Sequence, residues 1–245
     1  MKHAICSDIH GDLVNFKIFI NYVACKNDVD GIIIAGDLFG MKGLETAAAE
    51  TVTSEMNHQY SEIEKILSEF ERNTGKRIML ISGNYDSDFG QRLLGVWNMH
   101  QRVKVLDGLK FAGYGGHYHK PYRVLQETTM DFDAAVAVNF FEQIGPDVVI
   151  THARVREYLR KHSPLLSITG HTHTYDFYYD ESETAARTVA LKPGAIGHTT
   201  HDKTGESLPQ TFVFLDYADI TRAELYTIQN CSITSTEIRA REKTK

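Results

Sequence analysis

Residues 2–12 read KHAICSDIHGD, and residues 31–37 read GIIIAGD. Both segments are apolar runs of strand length that end in a polar turn with an aspartate, and the second has the continuous apolar character of a strand buried on both faces. Asp12 stands at an N-cap position, and the apolar residues behind it recur at helical spacing: Leu13, Phe16, Ile20 and Val23. The sequence therefore predicts a strand–helix–strand unit with parallel strands.

The same alternation continues along the chain. A helix is predicted over roughly residues 44–72, with Gly75 as its C-cap, and a strand over Arg77–Ile81. A hairpin through Asp107-Gly108 opens a half that is richer in strands. The further predicted elements are helices over 132–143 and 155–161, and strands over 147–151, 165–169, 176–179, 188–191, 211–216 and 223–228. This pattern is typical of an α/β protein.

Composition and charge narrow the class of protein. The chain has 245 residues, of which 42% are hydrophobic and 24% charged, as in an ordinary globular protein. We expect one domain over residues 1–231 and a frayed tail over residues 232–245, where apolar content falls. The net charge of −6 argues against general nucleic-acid binding, and no apolar run approaches the ~20 residues that span a bilayer. Three scattered cysteines suit a reducing cytoplasm, which is the expected location.

Side chains of the kinds that bind metals follow five of the predicted strands, where ligands bind in open α/β sheets. The clusters are Asp8-Ile9-His10, Gly36-Asp37, Gly83-Asn84-Tyr85-Asp86, His152 and Gly170-His171-Thr172-His173. One such histidine or one Gly-Asp is usually a capped side chain or a turn, whereas five in succession indicate a shared site. Carboxylate, imidazole and amide oxygen are ligands that suit Mn, Fe, Ni or Zn.

The order of these motifs resembles that of the calcineurin-like metallophosphoesterase family, and the resemblance spans residues 8–173. Lys192-Pro193-Gly194-Ala195 also resembles the Asn-Pro-Gly-Ser turn of the small bacterial and archaeal phosphodiesterase branch of that family. The resemblance implies a four-layer α/β/β/α sandwich, in which two packed mixed β-sheets are flanked by helices. It also implies a metal-dependent phosphoric ester hydrolase that acts on a small phosphate-ester substrate, with a phosphodiesterase favoured.

The resemblance further implies a binuclear centre of two divalent transition-metal ions, manganese among the candidates. One ion would be bound by Asp8, His10 and His173 and the other by Asn84, His152 and His171, with Asp37 bridging both. Two such cations clamp a phosphoryl oxygen and lower the pKa of a bridging water, and the resulting metal-bound hydroxide attacks phosphorus.

Three positions depart from the family pattern. Many members carry a histidine after the motif asparagine; here the position is Tyr85, with the following Asp86 retained. Since phenol titrates near pH ~10, Tyr85 is a poor proton shuttle, which favours diesters with good leaving groups, although Tyr85 could equally fill space or stack on the substrate. Gly40 stands where an Asp or Arg is frequent. Arg154 either clamps a phosphate oxygen or lies on the surface at a helix start. The catalytic candidates are Asp37, Asn84, Tyr85, Asp86 and Arg154.

Several alternatives stay open. The chemistry also fits a phosphomonoesterase or a nucleotide pyrophosphatase, and the fold could serve as a non-catalytic metal-binding scaffold. A DNA-repair nuclease is disfavoured by the acidic charge. The Gly115–His119 loop, His198 and His201 either overhang the site or lie at the surface. The oligomeric state is open, and a homo-oligomer is compatible with the sequence.

Overall fold

Two mixed β-sheets pack face to face in the computed structural model, which describes residues 1–44, 46–86, 93–116, 132–180, 182–200 and 204–243. Within those residues each sheet has seven strands. The first contains β1 (Lys2–Cys6), β2 (Gly31–Ala35), β3 (Arg77–Ile81), β4 (Trp97–Asn98), β11 (Gln210–Asp216), β12 (Arg222–Gln229) and β13 (Ser232–Arg239). The second contains β5 (Arg102–Leu106), β6 (Leu109–Tyr114), β7 (Val148–Thr151), β8 (Leu166–Thr169), β9 (Tyr175–Tyr179), β10 (Val189–Pro193) and β14 (Arg241–Glu242).

Parallel strands form the centre of each sheet. In the first sheet β1, β2, β3 and β4 are parallel neighbours, and β11, β12 and β13 continue beyond β1 as an antiparallel meander. In the second sheet β6, β7, β8 and β10 are parallel, with β5 and β9 antiparallel beside them. The carboxyl ends of the parallel strands therefore lie along one edge of each sheet, where ligands bind in such folds.

Four helices cover the outer faces of the two sheets. The described helices are α1 (Leu13–Ala24), α2 (Ala49–Thr74), α3 (Ala134–Ile144) and α4 (Arg156–His162). One apolar cluster joins α1 and α2 to the first sheet, a second fills the space between the sheets, and a third joins α3 and α4 to the second sheet. This is the four-layer α/β/β/α arrangement, so the predicted fold class is confirmed. No helix among the described residues is both long enough and apolar enough to cross a membrane.

The helix ends show where the sequence pattern was reliable. Asp12 caps α1 by accepting a hydrogen bond from the backbone N–H of Asn15, at 3.1 Å, and Gly75 ends α2 in the left-handed conformation, as predicted. By contrast α2 begins at Ala49 rather than near residue 44. Its N-cap, Ala48, has no side-chain oxygen to offer, so the sequence carries no signal for the true start.

The prediction of a frayed tail is wrong over residues 232–242. All eight residues of β13 pair with β12, and β14 then pairs with β9 in the other sheet. The end of the described chain therefore contacts both sheets. Most β13 side chains are exposed, so backbone hydrogen bonding, rather than an apolar pattern, accounts for this strand. The domain limits themselves stay a prediction.

Candidate metal centre

The seven predicted metal ligands lie together at the carboxyl edge of both sheets. The first sheet contributes Asp8 and His10 after β1, Asp37 after β2 and Asn84 after β3. The second contributes His152 after β7 and, after β8, His171 and His173. The site therefore lies at the junction of the two sheets, which brings together residues that are up to 165 positions apart (Asp8 to His173).

One ligand set is formed by Asp8, His10, Asp37 and His173, whose donor atoms all lie within 4.8 Å of one another. The Nε2 atoms of His10 and His173 are 3.0 Å apart, and the Nε2 of His173 lies 3.5 Å from Oδ1 of Asp8. The Nε2 of His10 lies 3.9 Å from Oδ2 of Asp37. Two imidazole nitrogens and two carboxylates thus converge on one point.

The second ligand set is formed by Asp37, His152 and His171, with Asn84 beside them. The side-chain oxygen of Asn84 lies 3.0 Å from Nε2 of His152 and 3.0 Å from Nδ1 of His171. Oδ2 of Asp37 lies 3.2 Å from Nε2 of His152. The same Asp37 oxygen therefore faces both sets, and Asp37 belongs to both of them.

The donors of the two sets fit divalent cations. Oδ2 of Asp37 is buried and faces imidazole nitrogens, those of His152 at 3.2 Å and His10 at 3.9 Å. A buried carboxylate oxygen needs positive charge beside it, which either a protonated ring or a bound cation supplies. The backbone carbonyl of Ala35 can only accept, so at 2.8 Å it takes the Nδ1–H of His152 and leaves Nε2 of that ring as a lone-pair donor. The imidazole and carboxylate donors together suit a transition metal.

The closeness of the carboxylates and imidazole rings shifts the pKa values of both kinds of group. Burial would raise the pKa of Asp37, but the neighbouring rings of His152 and His10 outweigh burial and hold that pKa well below its usual range. Burial likewise opposes the charged form of His152, yet the Asp37 carboxylate raises the pKa of His152 to about 10. A divalent cation would displace the His152 proton, so metal affinity is expected to fall as pH is lowered.

The backbone around the ligands is strained. Five of the seven ligands have positive φ: Asp8 (53°), His10 (48°), Asp37 (55°), His171 (70°) and His173 (55°). Such conformations are uncommon outside glycine, and they cluster at functional sites. Glycine provides the remaining space: a Cβ atom on Gly83 would lie 2.1 Å from Oδ1 of Asp37, and one on Gly36 would lie 2.6 Å from Nδ1 of His152.

Asp86 is a buried anchor behind the site. Its Oδ1 accepts hydrogen bonds from the N–H groups of Leu38 and Phe39, at 2.8 and 3.1 Å, and Oδ2 accepts from the N–H of Gly83 at 2.8 Å. These contacts connect the loop after β2 to the loop after β3. Burial and, next, the charge of Asp37 raise the pKa of Asp86 to about 6. Asp86 therefore supports the loops that carry the ligands and is not itself one of the ligands.

Two further supports carry no motif that sequence reasoning would find. The hydroxyl of Ser7 lies within hydrogen-bond distance of Oδ2 of Asp8 and, at 2.9 Å, of the carbonyl oxygen of Gly194, so it connects the turn at Lys192-Pro193-Gly194 to the first ligand. Gln59 of α2 exchanges two hydrogen bonds with the backbone of Gly40, at 3.0 and 3.2 Å. The only sequence signal for these roles is that Ser and Gln can form hydrogen bonds. Because both residue types are common on protein surfaces, that signal does not single them out.

Two of the positions that depart from the family pattern, Tyr85 and Gly40, lie in close contact with the ligands. Tyr85 is half-buried, its N–H donates to Oδ1 of Asp37 at 2.9 Å, and its ring meets the His10 ring edge-on, with centroids 4.9 Å apart. A Cβ atom on Gly40 would lie 1.8 Å from the carbonyl oxygen of His10, so no larger residue fits at this position.

Arg154 is not brought to the ligand cluster. Its guanidinium forms an ion pair with the buried Asp180, and its side chain is mostly buried rather than lying on the surface. It does line a cavity that His152 and His171 also line. The structure thus places Arg154 near the site, and its catalytic role stays a prediction.

The remaining histidine candidates separate into two groups. His198 is exposed, with Nε2 3.8 Å from Oδ2 of Asp12, and it follows the turn that holds Asp8. His117, His119 and His201 lie outside the described residues.

Comparison with known proteins identifies the family to which the chain belongs. The model of the calcineurin-like phosphoesterase family matches residues 1–175, a range that contains all seven predicted ligands. No curated protein is significantly similar to the chain.

Solved structures share the fold at low sequence identity. TT1561 of Thermus thermophilus is 15% identical, with a TM-score of 0.59, and the match covers 97% of this chain and 99% of that one. The NAD nucleotidase NadN of Haemophilus influenzae is 12% identical, with a TM-score of 0.53, and the match covers 98% of this chain and 54% of that one. A Vps29 single mutant of Entamoeba histolytica is 15% identical, with a TM-score of 0.48, over 98% and 99% of the two chains. The first two support the fold and say nothing of the substrate.

Proposed function

We propose that this chain, which belongs to the calcineurin-like phosphoesterase family, is a phosphodiesterase that works with two divalent transition-metal ions. The family predicted from the motifs is confirmed, and it supports a metal-dependent phosphoester hydrolase in general. One observation supports the proposal of two metal ions: two ligand sets converge on one buried oxygen, Oδ2 of Asp37.

The residues divide the work between them. Asp8, His10 and His173 would bind one ion, Asn84, His152 and His171 the other, and Asp37 both. When bound, the two ions supply charge stabilisation for the phosphoryl oxygens and a water of lowered pKa. Asp86 and Gly83 hold Asp37 in place, and the N–H of Tyr85 satisfies Oδ1 of Asp37, which leaves Oδ2 for the centre.

The preference for diesters follows from Tyr85. Hydrolysis forms a bond between a water oxygen and phosphorus and breaks the bond to the leaving group, whose oxygen needs a proton unless it is a stable anion. Phenol, which titrates near pH ~10, is a poor source of that proton. Tyr85 also packs edge-on against a ligand histidine, His10, which suits a positioning role. A site of this kind favours diesters with good leaving groups over alkyl monoesters.

The test compares kcat/KM for bis(p-nitrophenyl) phosphate and p-nitrophenyl phosphate with added Mn²⁺. We expect the diester to be preferred, and we expect Asp37→Asn to reduce both rates by roughly a hundredfold or more. Asp107→Asn, in the exposed turn of the β5–β6 hairpin, is the matched control and should leave both rates unchanged.

Two outcomes would contradict the proposal in different ways. A strong preference for the monoester would contradict the diester assignment, because both substrates release the same p-nitrophenolate and differ only in the second ester bond. Bound Mn²⁺ with no turnover of either ester would instead favour a metal-binding scaffold.

A further inference from the structure

A cavity of about 550 Å³ opens beside the second ligand set. Its described walls come from α3, from the segment between β7 and α4, from the residues after β8 and from the end of β10. They include the ligands His152 and His171 and three cationic side chains, those of Arg154, Arg156 and Lys192. The volume lies within the range of about 300–1,000 Å³ typical of small-molecule sites. One bound molecule could therefore contact both the metal ligands and the cations.

The cations of this cavity are only partly balanced. Arg154 is neutralised by its ion pair with the buried Asp180. In the described part of the chain, no carboxylate lies within ion-pair distance of Lys192 or Arg156. Lys192 is only partly exposed, whereas Arg156 is exposed. Glu157 also lines the cavity, but its carboxylate is already in an ion pair along α4. The cavity wall therefore carries excess positive charge in a chain whose net charge is −6.

Cationic side chains also gather around one aromatic ring beside the cavity. Nζ of Lys192 lies 5.9 Å, the guanidinium carbon of Arg154 5.9 Å and Nζ of Lys243 5.4 Å from the centroid of the buried Tyr178 ring. Burial lowers the pKa of Lys192; the charge of Asp176 opposes this shift, and the charges of Arg154, Lys243 and Arg156 add to it. Of these cations Arg154, Arg156 and Lys192 line the cavity, where a bound anion would relieve the repulsion between them.

We propose that this cavity binds a second phosphate group, so that the preferred substrates are phosphodiesters that carry a phosphate besides the one that is hydrolysed. The inference rests on the proposed function, because it places the reacting phosphate at the metal centre. Lys192 is the principal contact for the second phosphate, since it lines the cavity, is partly buried and has no carboxylate within ion-pair distance among the described residues, and the exposed Arg156 adds charge. Both act on specificity, not on the reacting atoms.

The test uses two substrates that differ by one phosphate. Thymidine 5′-(p-nitrophenyl phosphate) and its 3′-phosphorylated form release the same leaving group, so the ratio of their kcat/KM values isolates the second phosphate. We expect the 3′-phosphorylated form to be favoured about tenfold or more, mainly through KM, and the ratio to fall towards one in Lys192→Gln. Lys65→Gln, at an exposed position of α2, is the matched control and should keep the wild-type ratio.

A binding measurement separates failure of the inference from failure of the proposed function. Inorganic pyrophosphate is titrated by calorimetry into protein treated with EDTA; we expect binding in wild type and Lys65→Gln, and weaker binding in Lys192→Gln. If neither thymidine ester is hydrolysed but this pattern holds, the proposed function fails and the anion site stands. Turnover of both esters at equal rates, or pyrophosphate binding that Lys192→Gln does not change, would overturn the inference.

Discussion

Asp37 is held in place by close backbone contact as well as by its charged neighbours. The backbone of Gly83 approaches Oδ1 of Asp37 so closely that a Cβ atom there would lie 2.1 Å from it, and 2.6 Å from the backbone nitrogen of Asp37. Neither atom can retreat easily, because Asp37 is fully buried. The orientation of the bridging carboxylate therefore depends on the absence of a side chain at residue 83.

Gly83→Ala is expected to weaken Mn²⁺ binding by at least about tenfold, because it displaces the carboxylate shared by both ligand sets. Titration calorimetry measures this affinity. Gly108→Ala is the control: its positive φ of 81° makes that substitution strained too, but it lies in the β5–β6 turn with open space around it. Equal Mn²⁺ affinity in Gly83→Ala and wild type would show that Asp37 does not need this contact.

The proposed ligands were singled out from sequence, whereas the supporting residues Ser7 and Gln59 were not. Asp8, Asp37 and His171 come after apolar runs, and Asp37 and His171 each directly follow a glycine, which is a pattern that a sequence displays directly. Ser7 and Gln59 act through hydrogen bonds to backbone groups that are distant in sequence, and nothing local marks those contacts. The sequence left Arg154 open between a phosphate clamp and a surface position, because its ion-pair partner Asp180 is 26 positions away and nothing local marks that contact.

At the scale of elements, the main difference between the sequence-based prediction and the structure lies in the carboxyl-terminal strands β13 and β14. Buried strands such as β2 are marked by continuous apolar character, and the helical stripe of α2 is marked by its period. An edge strand with exposed side chains has neither signal. Ile233 packs against the cluster under α1 and α2, and Ile238 packs against the cluster between the sheets. These two residues are the only apolar indication that β13 is part of the fold within the described residues of that strand.

Deletion of residues 232–245 is expected to destabilise the protein, because it removes β13, β14 and the packing of both isoleucines. A loss of about 2 kcal/mol would lower the Tm by roughly 4–8 °C for a chain of this size. Differential scanning calorimetry checks the value, with deletion of residues 244–245 as the control. An unchanged Tm in the longer deletion would show that these residues do not stabilise the fold, as the sequence pattern predicts for a frayed tail.

At the scale of the whole molecule, the packing of the two sheets buries a histidine away from the metal centre. His3 of β1 is 1% exposed and contacts the rings of Phe111 and Tyr217, with centroids 5.9 and 5.5 Å away. Its Nδ1 atom has no hydrogen-bond partner among the described residues. Burial lowers the pKa of His3 to about 4. The unfolded chain therefore takes up this proton at a higher pH than the folded protein does.

The free energy of unfolding is expected to fall between pH 6.5 and pH 4, and His3 should account for a decrease on the order of 3 kcal/mol. Above pH 6.5 the contribution of His3 is constant, since the residue is neutral in both states. Urea denaturation across this range in wild type and His3→Leu measures the difference, with the exposed His58→Gln as the control. Parallel pH profiles in wild type and His3→Leu would contradict this assignment.

The central claim is that seven side chains from both sheets bind two cations through the shared carboxylate of Asp37. Equilibrium dialysis against Mn²⁺ followed by metal analysis tests it most directly, in wild type, Asp37→Asn and the control Asp107→Asn. We predict two Mn²⁺ ions per chain in wild type and the control, and fewer than one in Asp37→Asn, because that residue belongs to both ligand sets. A stoichiometry of one or none in wild type, or two in Asp37→Asn, would contradict it.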